Sequence, residues 1–470
     1  MNVKLTGKEK RWIMYDVGNS AFALLVSTII PIYFNYLAGK AGISSVNYLA
    51  YWGYAASICT IIVALLGPVC GTLADTKGFK KPVFLISILI GSIACAMLGA
   101  CVKWLIFLIV FVIAKIGFSS SLIFYDSMLV DVTDEKRMDY VSSQGFAWGY
   151  IGSCIPFVGC LLLVLGSSKI GISMELAMGI AFVIVAVWWL GMSLPHIKKY
   201  EQKNYVERKP HAIRESFKRL YGTCKNIKKE KHIFLFLLAF FFYIDGVYTI
   251  IDMATAYGSA LGLDSTGLLL ALLVTQIVAF PCAIIFGRLS YKVSTEKLIL
   301  VCIVAYLGIA VFAIFLRSQL QFWILAILVG MFQGGIQALS RSYFTKIIPE
   351  EKNGEYFGLM DICGKGASFL GTTVVSIVSQ LTGDINKGVG MIAVLFCIGI
   401  VVFLQAVSAA KNYNKEKAGT GVTIDVDSVN VVKGAGVTID ADSVNVVKGV
   451  VVSENVRELL LFNSLSLNYV

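Results

Sequence analysis

The sequence is poor in charge. Charged side chains make up only 15% of its 470 residues, against 57% hydrophobic side chains, and the mean hydropathy is +0.78. A soluble globular protein carries about 25% charged residues. Because so few charges cannot cover so much apolar surface in water, the chain is predicted to be an integral membrane protein.

Residues typical of metal and nucleotide chemistry are scarce as well. The three histidines (His196, His211 and His232) lie in or beside one polar segment, and the eleven cysteines include no C-x-x-C pair. The sequence has no G-x-x-x-x-G-K-[ST] phosphate-binding loop. These absences predict no cofactor, no metal and no use of ATP, and the sequence offers no nucleophile–base set for an enzyme.

What the chain does contain is a series of apolar segments, each close to the 20 or so residues that a membrane helix needs. Twelve spans are predicted, near residues 12–38, 47–74, 82–102, 104–130, 141–166, 172–194, 233–262, 265–289, 297–316, 320–345, 355–382 and 387–410. The predicted fold is therefore all-α and membrane-integral, with six helices on either side of one long polar stretch.

Four regions follow from this pattern. They are a six-helix bundle over 1–194, a basic linker with a short amphipathic helix over 195–232, a second bundle over 233–410 and a flexible tail over 411–470. The tail holds a 15-residue duplication within 421–449, for which no function is predicted.

Lysine and arginine concentrate at the N-terminus, in the second connection and in the linker. Since basic residues mark cytoplasmic loops, both ends of the membrane domain are predicted to be cytoplasmic. The net charge of +11 is spread over these loops rather than gathered on one soluble face, so nucleic-acid binding is not predicted.

The two halves of the chain share an internal repeat. VTDEKRMDY at 132–140 is similar to IPEEKNGEY at 348–356, and GTLADTKGFKK at 71–81 is similar to GRLSYKVSTEK at 287–297. Both pairs are 216 residues apart (348 − 132 and 287 − 71). Two six-helix bundles repeated in the same sense predict alternating access around a site near the middle of the membrane.

One copy of this repeat carries a known signature. GTLADTKGFKKP resembles the loop of major facilitator superfamily transporters, with Asp75, Gly78, Lys80 and Lys81 on its characteristic positions. The second copy has Tyr291 in place of the aspartate. The resemblance therefore implies that only the first half forms the full cytoplasmic latch.

A narrower resemblance covers about residues 10–410. WIMYDVGNSAFALLVSTIIPIYF, FYIDGVYTI, LSRSYFTKIIPEEKNGEYFG and GKGASFLG are similar to the vacuole effluxer, or autophagy-related permease-like, family. For fungal members the family implies export of amino acids from the vacuole. The implied location is the vacuolar membrane for a fungal protein and the plasma membrane for a bacterial one.

Charged side chains deep in a membrane are costly and mark functional sites. Asp245, Lys115 and Lys365 lie about half-way along their predicted spans, and together they offer partners for both ends of a zwitterion. The predicted substrate or coupling residues are Asp245, Lys115, Lys365, Asn19, Asp252, Tyr243 and Tyr248. The alternative is that Asp245 only neutralises Lys115 or Lys365 in a structural pair.

A second group of polar residues lies near the cytoplasmic edge. Asp16 is about one turn inside it and is predicted to be a gate residue that pairs with Arg341 or Lys346; the alternative is a carboxylate favoured by the helix start. The other predicted gate residues are Asp75, Gly78, Lys80, Lys81, Asp126, Arg137, Glu355 and Asp361.

The predicted function is secondary active transport of a small solute by rocker-switch alternating access. Amino acids are the solute that the resemblance favours, the protein is expected to work as a monomer in the lipid bilayer, and a proton is a candidate coupling ion. Two alternatives stay open. The same fold could move a sugar, drug or organic anion, or the protein could be a membrane sensor that binds a ligand without transporting it.

Overall fold

The computed structural model describes residues 4–43, 45–208, 218, 220–223, 225–260, 262–383 and 385–419. Its named α-helices are α1 (Gly7–Ser27), α2 (Ile29–Lys40), α3 (Ser45–Ala74), α4 (Lys80–Met97), α5 (Trp104–Ser127), α6 (Leu129–Val132), α7 (Met138–Gly166), α8 (Met174–Lys199), α9 (Lys231–Ala260), α10 (Ser265–Leu289), α11 (Thr295–Ile314), α12 (Gln319–Ile347), α13 (Asn353–Thr382) and α14 (Ile385–Gly419). Within these residues, the β-type pairing consists of one isolated parallel bridge between Thr76 and Val206. The all-α prediction is confirmed.

Ten segments of the described chain are long and apolar enough to cross a membrane. The other two predicted spans include the shorter apolar helical segments Ile58–Ala74 and Leu370–Thr382. The helices are therefore consistent with twelve spans, in the order that the apolar runs predict.

The first predicted span is broken into two helices. α1 ends at Ser27 and α2 begins at Ile29, with Thr28 between them at φ −130° and ψ −73°. Pro31 explains the break, because a proline lacks the backbone N–H and its ring clashes with the carbonyl four residues earlier, here that of Ser27. The Thr28 hydroxyl donates to the Leu24 carbonyl oxygen at 2.5 Å and satisfies one acceptor near the break.

Large apolar side chains point outward along the helices. Leu65, Leu162, Leu165, Val187 and Leu320 are each at least 65% exposed. So many large apolar side chains with high exposure are unusual on a soluble monomer. A surrounding of hydrocarbon explains it, since lipid tails replace water around these side chains.

The chain divides into two compact units, Met1–Val407 and Ser408–Val470. The first unit holds α1 to α13, so the finer division into bundles over 1–194 and 233–410 stays a prediction. The predicted amphipathic helix falls largely on residues of the linker outside the described ones. The duplication at 421–449 also lies outside the described residues.

We call α1–α8 the N-terminal half and α9–α14 the C-terminal half. The linker side is the end of the bundle at which α8 ends and α9 begins. Here the halves approach closely at two places related by the internal repeat. A Cβ on Gly71 of α3 would overlap the Gly354 carbonyl of α13, and a Cβ on Gly287 of α10 would lie 2.7 Å from the Ser143 Cβ of α7. Glycine at both places lets the helices pack across the boundary between the halves.

Candidate functional site

A buried arginine joins the two halves on the linker side. Arg341 of α12 is 4% exposed, and its guanidinium donates to Asp126 Oδ1 of α5 at 2.9 Å. It also donates to the hydroxyl and the carbonyl oxygen of Ser142 in α7, both at 2.9 Å. Asp16 of α1 completes the group, with Oδ2 at 3.5 Å from Arg341 Nη2. One cation of the C-terminal half thus contacts two carboxylates of the other half.

Aromatic rings of the N-terminal half surround the same guanidinium. Its carbon lies 4.4 Å from the ring centre of Phe146, 4.7 Å from that of Trp12 and 5.4 Å from that of Tyr125. Tyr125 also donates its hydroxyl to Asp16 Oδ2 at 2.7 Å. Because cation–π contacts are stronger in a site without water, these rings stabilise the Arg341 guanidinium in its buried position. We call Arg341, Asp16, Asp126, Ser142 and these three rings the Arg341 cluster.

The sequence predicts two candidate partners for Asp16, and the structure places one of them beside it and the other at a different carboxylate. Asp16 lies beside Arg341, whereas Lys346, the second candidate partner, contacts Asp139 Oδ2 of α7 at 2.7 Å. Asn19 donates to Asp16 Oδ1 at 3.4 Å. Asn19 therefore lies at the edge of the Arg341 cluster, one turn along α1.

Asp75 makes a different link between the halves. It is fully buried after the end of α3, and its two oxygens accept hydrogen bonds from the backbone N–H groups of Gly354 (2.7 Å) and Glu355 (2.8 Å). These are first-turn N–H groups of α13, which have no partner within their own helix. A carboxylate at this end is also favoured by the helix dipole. Asp75 of one half thus caps a helix of the other.

Lys80 connects Asp75 to the beginning of the linker. It is fully buried, and its Nζ lies 3.6 Å from Asp75 Oδ1 and 3.6 Å from Asp131 Oδ2. Asp131 Oδ1 accepts from the backbone N–H groups of Lys203 and Asn204, at 3.1 and 2.9 Å. A single buried ammonium therefore lies between the cap on α13 and the residues that follow α8.

The linker also binds the predicted latch loop directly. Gly78, at φ +81°, donates its N–H to Gln202 Oε1 at 3.1 Å, and the N–H of Val206 bonds to the Asp75 carbonyl at 2.8 Å. Tyr200, just beyond α8, donates its hydroxyl to Asp131 Oδ2 at 2.5 Å. Burial and then the Asp131 charge raise the pKa of Tyr200 well above its ordinary value, so its hydroxyl stays a donor across physiological pH. Lys81 is half-buried in the first turn of α4.

The second linker-side contact is centred on Asp139, in the first turn of α7. Its oxygens accept from Ser342 (2.6 Å) and Lys346 (2.7 Å) of α12, and from Thr295 of α11 (2.6 Å). Three side chains of the C-terminal half thus converge on one carboxylate of the N-terminal half.

Other predicted gate residues have different surroundings. Arg137 donates twice to Glu9, at 2.7 and 2.8 Å, and this partner belongs to the same half. Glu355 is buried at the start of α13, where its backbone meets Asp75. Asp361 lies on α13, where it faces Gly67 of α3. The structure therefore places Arg137 within one half and Glu355 and Asp361 at the boundary between the halves.

Deeper in the bundle, Asp245 lies at the middle of α9 and is fully buried. Its Oδ1 accepts from the Gly371 N–H of α13 at 2.9 Å and from the Thr249 hydroxyl at 3.2 Å. Its Oδ2 is buried and accepts no hydrogen bond from the part of the chain that the structure describes. The described contacts of Asp245 are with neutral donors rather than with Lys115 of α5, and the alternative pair with Lys365 involves a side chain outside the described residues.

The remaining predicted residues of this group are placed as follows. Tyr243 pairs its hydroxyl with Ser340 of α12 at 2.7 Å, so it packs within the C-terminal half. Tyr248 lies one turn further along α9, beside Gly364 of α13. Lys115 is half-buried at the middle of α5. The side chains of Asp252 and Lys365 lie outside the described residues.

A family model described as vacuole effluxer Atg22 like matches residues 8–417 of the chain. The chain belongs to this family. The resemblance proposed from the sequence is thereby confirmed over all the predicted spans.

The Atg22-like chain has relatives in bacteria and fungi. An uncharacterized MFS-type transporter of Bacillus subtilis, YxiO, is 44% identical over 407 residues, which cover 86% of this chain and 95% of that protein. Autophagy-related protein 22 of Botryotinia fuckeliana is 26% identical over 302 residues, which cover 57% of this chain and 50% of that protein. The similarity to this fungal relative thus spans half of its length.

Solved structures agree on the fold. The transporter FucP in its outward conformation has a TM-score of 0.64 at 13% identity, over 85% of this chain and 97% of that one. A bacterial homologue of the iron transporter ferroportin, in an outward-facing state, has a TM-score of 0.64 at 16% identity, over 86% of this chain and all of that one. The Atg22-like chain is therefore a multi-pass membrane transporter of the major facilitator superfamily, and not an enzyme.

Several residues of the site were not predicted from the sequence of this Atg22-like protein. Ser142 and Asp139 hold the halves together, and Tyr125 donates its hydroxyl to Asp16. Asp139 aligns with Glu355 in the internal repeat, which was a usable signal. Ser142 has no such signal, because a serine in an apolar span is common where helices pack.

Proposed function

We propose that this protein is a secondary transporter that moves amino acids across the membrane by alternating access. The observation that carries the proposal is the Arg341 cluster. It joins the halves through contacts that a rocking motion can break and form again, at one end of the bundle only a few turns from the mid-membrane Asp245. On this proposal the linker side faces the cytoplasm, and the contacts of the Arg341 cluster close that side.

The choice of amino acids rests on the family and on two charges. The family implies efflux of amino acids in its fungal members. Asp245 has a carboxylate oxygen that accepts no hydrogen bond from the described residues, which suits an ammonium group or a proton, and Lys115 is a cation at similar depth in the other half. A buried carboxylate of this kind also suits proton coupling, because it can take up and release a proton as the site opens to either side.

Counterflow in proteoliposomes tests this function. Purified protein is loaded with one amino acid at a time and offered the labelled form from outside, with and without a pH gradient. We expect saturable exchange that Asp245→Asn abolishes and that the exposed control Glu207→Gln keeps. If no amino acid exchanges in folded, inserted protein, the proposed substrate is wrong. Exchange of a sugar or an organic anion would then identify another solute, and binding without any exchange would favour a sensor.

The role of the Arg341 cluster needs its own test. Arg341→Gln leaves the buried Asp16 and the half-buried Asp126 without their shared cation, and loss of one partner of a buried ion pair costs about 3–5 kcal/mol. We expect the linker side to open, so that a cysteine at Thr345 in a cysteine-free background reacts at least tenfold faster with a membrane-impermeant maleimide. Arg341→Lys keeps the charge but not the fork geometry and should lie between. Equal labelling of all three proteins would contradict the gate.

A further inference from the structure

Polar residues form a ladder between α12 and α7. Gln333, Gln337 and Arg341 are four residues apart, so they share one face of α12. The Tyr150 hydroxyl of α7 donates to Gln337 Oε1 at 2.9 Å, and Arg341 contacts Ser142 further toward the linker side. Two of these three side chains therefore bond across the boundary between the halves. Arg341, which is charged, does so nearer the linker side, and Gln337, which is neutral, does so one turn further from it.

The third side chain, Gln333, has an acceptor that is not used. Gln333 is only 6% exposed, and its Oε1 is buried and accepts no hydrogen bond from any of the described residues. A buried acceptor without a donor loses its bonds to water and gains nothing in return. Gln333 lies at the midpoint of α12, about 21 Å from either end of the helix. The unused acceptor is thus at the depth where the two halves enclose a solute in transporters of this type.

The hydrogen bonds around Gln333 determine whether the oxygen or the NH₂ group of its amide is left unbonded. The Tyr150 hydroxyl gives its one proton to Gln337, and the Gln333 amide lies beside the same hydroxyl. The phenol oxygen can then only accept, so Gln333 presents its NH₂ group to it and directs Oε1 elsewhere. The group left over is therefore a neutral acceptor, which binds an N–H or O–H donor.

We propose that Gln333 Oε1 is a recognition site for the transported solute and accepts a hydrogen bond from a donor group of that solute. This inference rests on the proposed function and deepens it, because the donor of an amino acid is the N–H of its α-ammonium. Asp245 attracts the positive charge of the ammonium group, whereas Gln333 requires an N–H on that group as a hydrogen-bond donor. A cation without a hydrogen on nitrogen satisfies the first requirement and fails the second.

Competition in the counterflow assay tests this inference. Unlabelled alanine and its N,N,N-trimethyl derivative, which keeps the positive charge but has no N–H, compete with labelled alanine. We expect the wild-type protein to prefer alanine, and Gln333→Met, which keeps the length but not the carbonyl, to reduce this preference about tenfold. Gln333→Glu keeps an acceptor and should retain the preference.

Gln144→Met is the matched control. Gln144 is also a buried glutamine, but its Oε1 accepts from the indole N–H of Trp148 in the same helix, at 3.2 Å. Its replacement leaves the bond between Tyr150 and Gln337 intact, so we expect the preference for alanine to be kept. The inference is wrong if Gln333→Met discriminates as the wild-type protein does, or if both methionine variants lose the preference equally.

The failure of the proposed function gives a different result. If the wild-type protein exchanges no amino acid, the solute that does exchange replaces alanine, and its methylated form, such as the O-methyl ether of a sugar, replaces the trimethyl compound. Loss of discrimination in Gln333→Met would then support the recognition site although the substrate class was wrong. Unchanged discrimination would overturn the recognition site itself.

Discussion

The two linker-side contacts between the halves share one backbone plan but use different chemistry. Gly71 and Gly287, which are equivalent in the repeat, both allow a helix of one half to press on the start of a helix of the other. In the first contact, Asp75 binds backbone N–H groups of α13. In the second, the equivalent Tyr291 places its ring 5.9 Å from that of Tyr140, and Asp139 of α7 bonds to side chains instead.

This difference teaches that a repeated fold preserves helix positions more readily than it preserves the groups that hold them. The Asp75 contact is sealed, with Asp75 and Lys80 both fully buried. The Asp139 contact reaches water, since the side chain of Lys346 is 18% exposed. Because burial strengthens hydrogen bonds to charged groups, we expect the first contact to stabilise the closed linker side more than the second.

Asp75→Asn should have the largest effect on this comparison. The amide cannot accept both N–H groups of α13, and it leaves Lys80 with Asp131 alone, so we expect a loss of about 2–3 kcal/mol in the closed state. Spin labels at exposed positions on the two halves, measured by electron–electron double resonance, should show a population with longer linker-side distances. Unchanged distances together with an unchanged melting midpoint would contradict this prediction.

Asp139→Asn should have a smaller effect, of about 1–2 kcal/mol. The asparagine carbonyl still accepts from a hydroxyl of Ser342 or Thr295, and Lys346 gains water in place of its carboxylate. The same pair of spin labels should report a smaller shift than in Asp75→Asn. A double-mutant cycle with Lys346→Met isolates the ion pair from the two hydroxyl contacts. If Asp139→Asn opens the linker side more than Asp75→Asn does, the ranking of the two contacts is reversed.

Lys77→Ala should have the smallest effect of the three. Lys77 lies in the same loop as Asp75 and bonds to Glu207 at 3.1 Å, and this bond raises the pKa of Lys77. Both side chains are more than half exposed, so solvent screens the pair. We expect no change in melting midpoint or in label distances. A clear fall in the melting midpoint, or a clear change in the label distances, would show that exposed residues of the loop also hold the halves together. The buried Asp75 would then not act alone.

Much of this fold could be predicted from the sequence, because long apolar runs with short basic loops leave few alternatives to membrane helices. The break between α1 and α2 was not predicted, although Pro31 was visible, since many membrane helices tolerate a proline. The position of Asp16 near one edge of the membrane predicted a pair with Arg341 or Lys346, and the choice between these two cations needed the structure.

The partners of Asp75 and Asp245 could not be foreseen in the same way. Both carboxylates bind backbone N–H groups, of Gly354 and Glu355 in one case and of Gly371 in the other. Every residue except proline has such a group, so the residue types give no sign of the contact. The Gln333 acceptor was missed for a related reason, since an uncharged amide in an apolar span has no charge that calls for a partner.

The way in which Asp75 binds α13 also bears on how the two linker-side contacts can change during evolution. Asp75 bonds to the main-chain N–H of residue 355, which every residue except proline has, so position 355 can vary while Asp75 is kept. Asp139 depends on two hydroxyls and an ammonium, so a change at 139 favours compensating changes at 295, 342 or 346. Aligned relatives should therefore show correlated substitution around Asp139, while the stronger contact, at Asp75, leaves no covariation signal with residue 355.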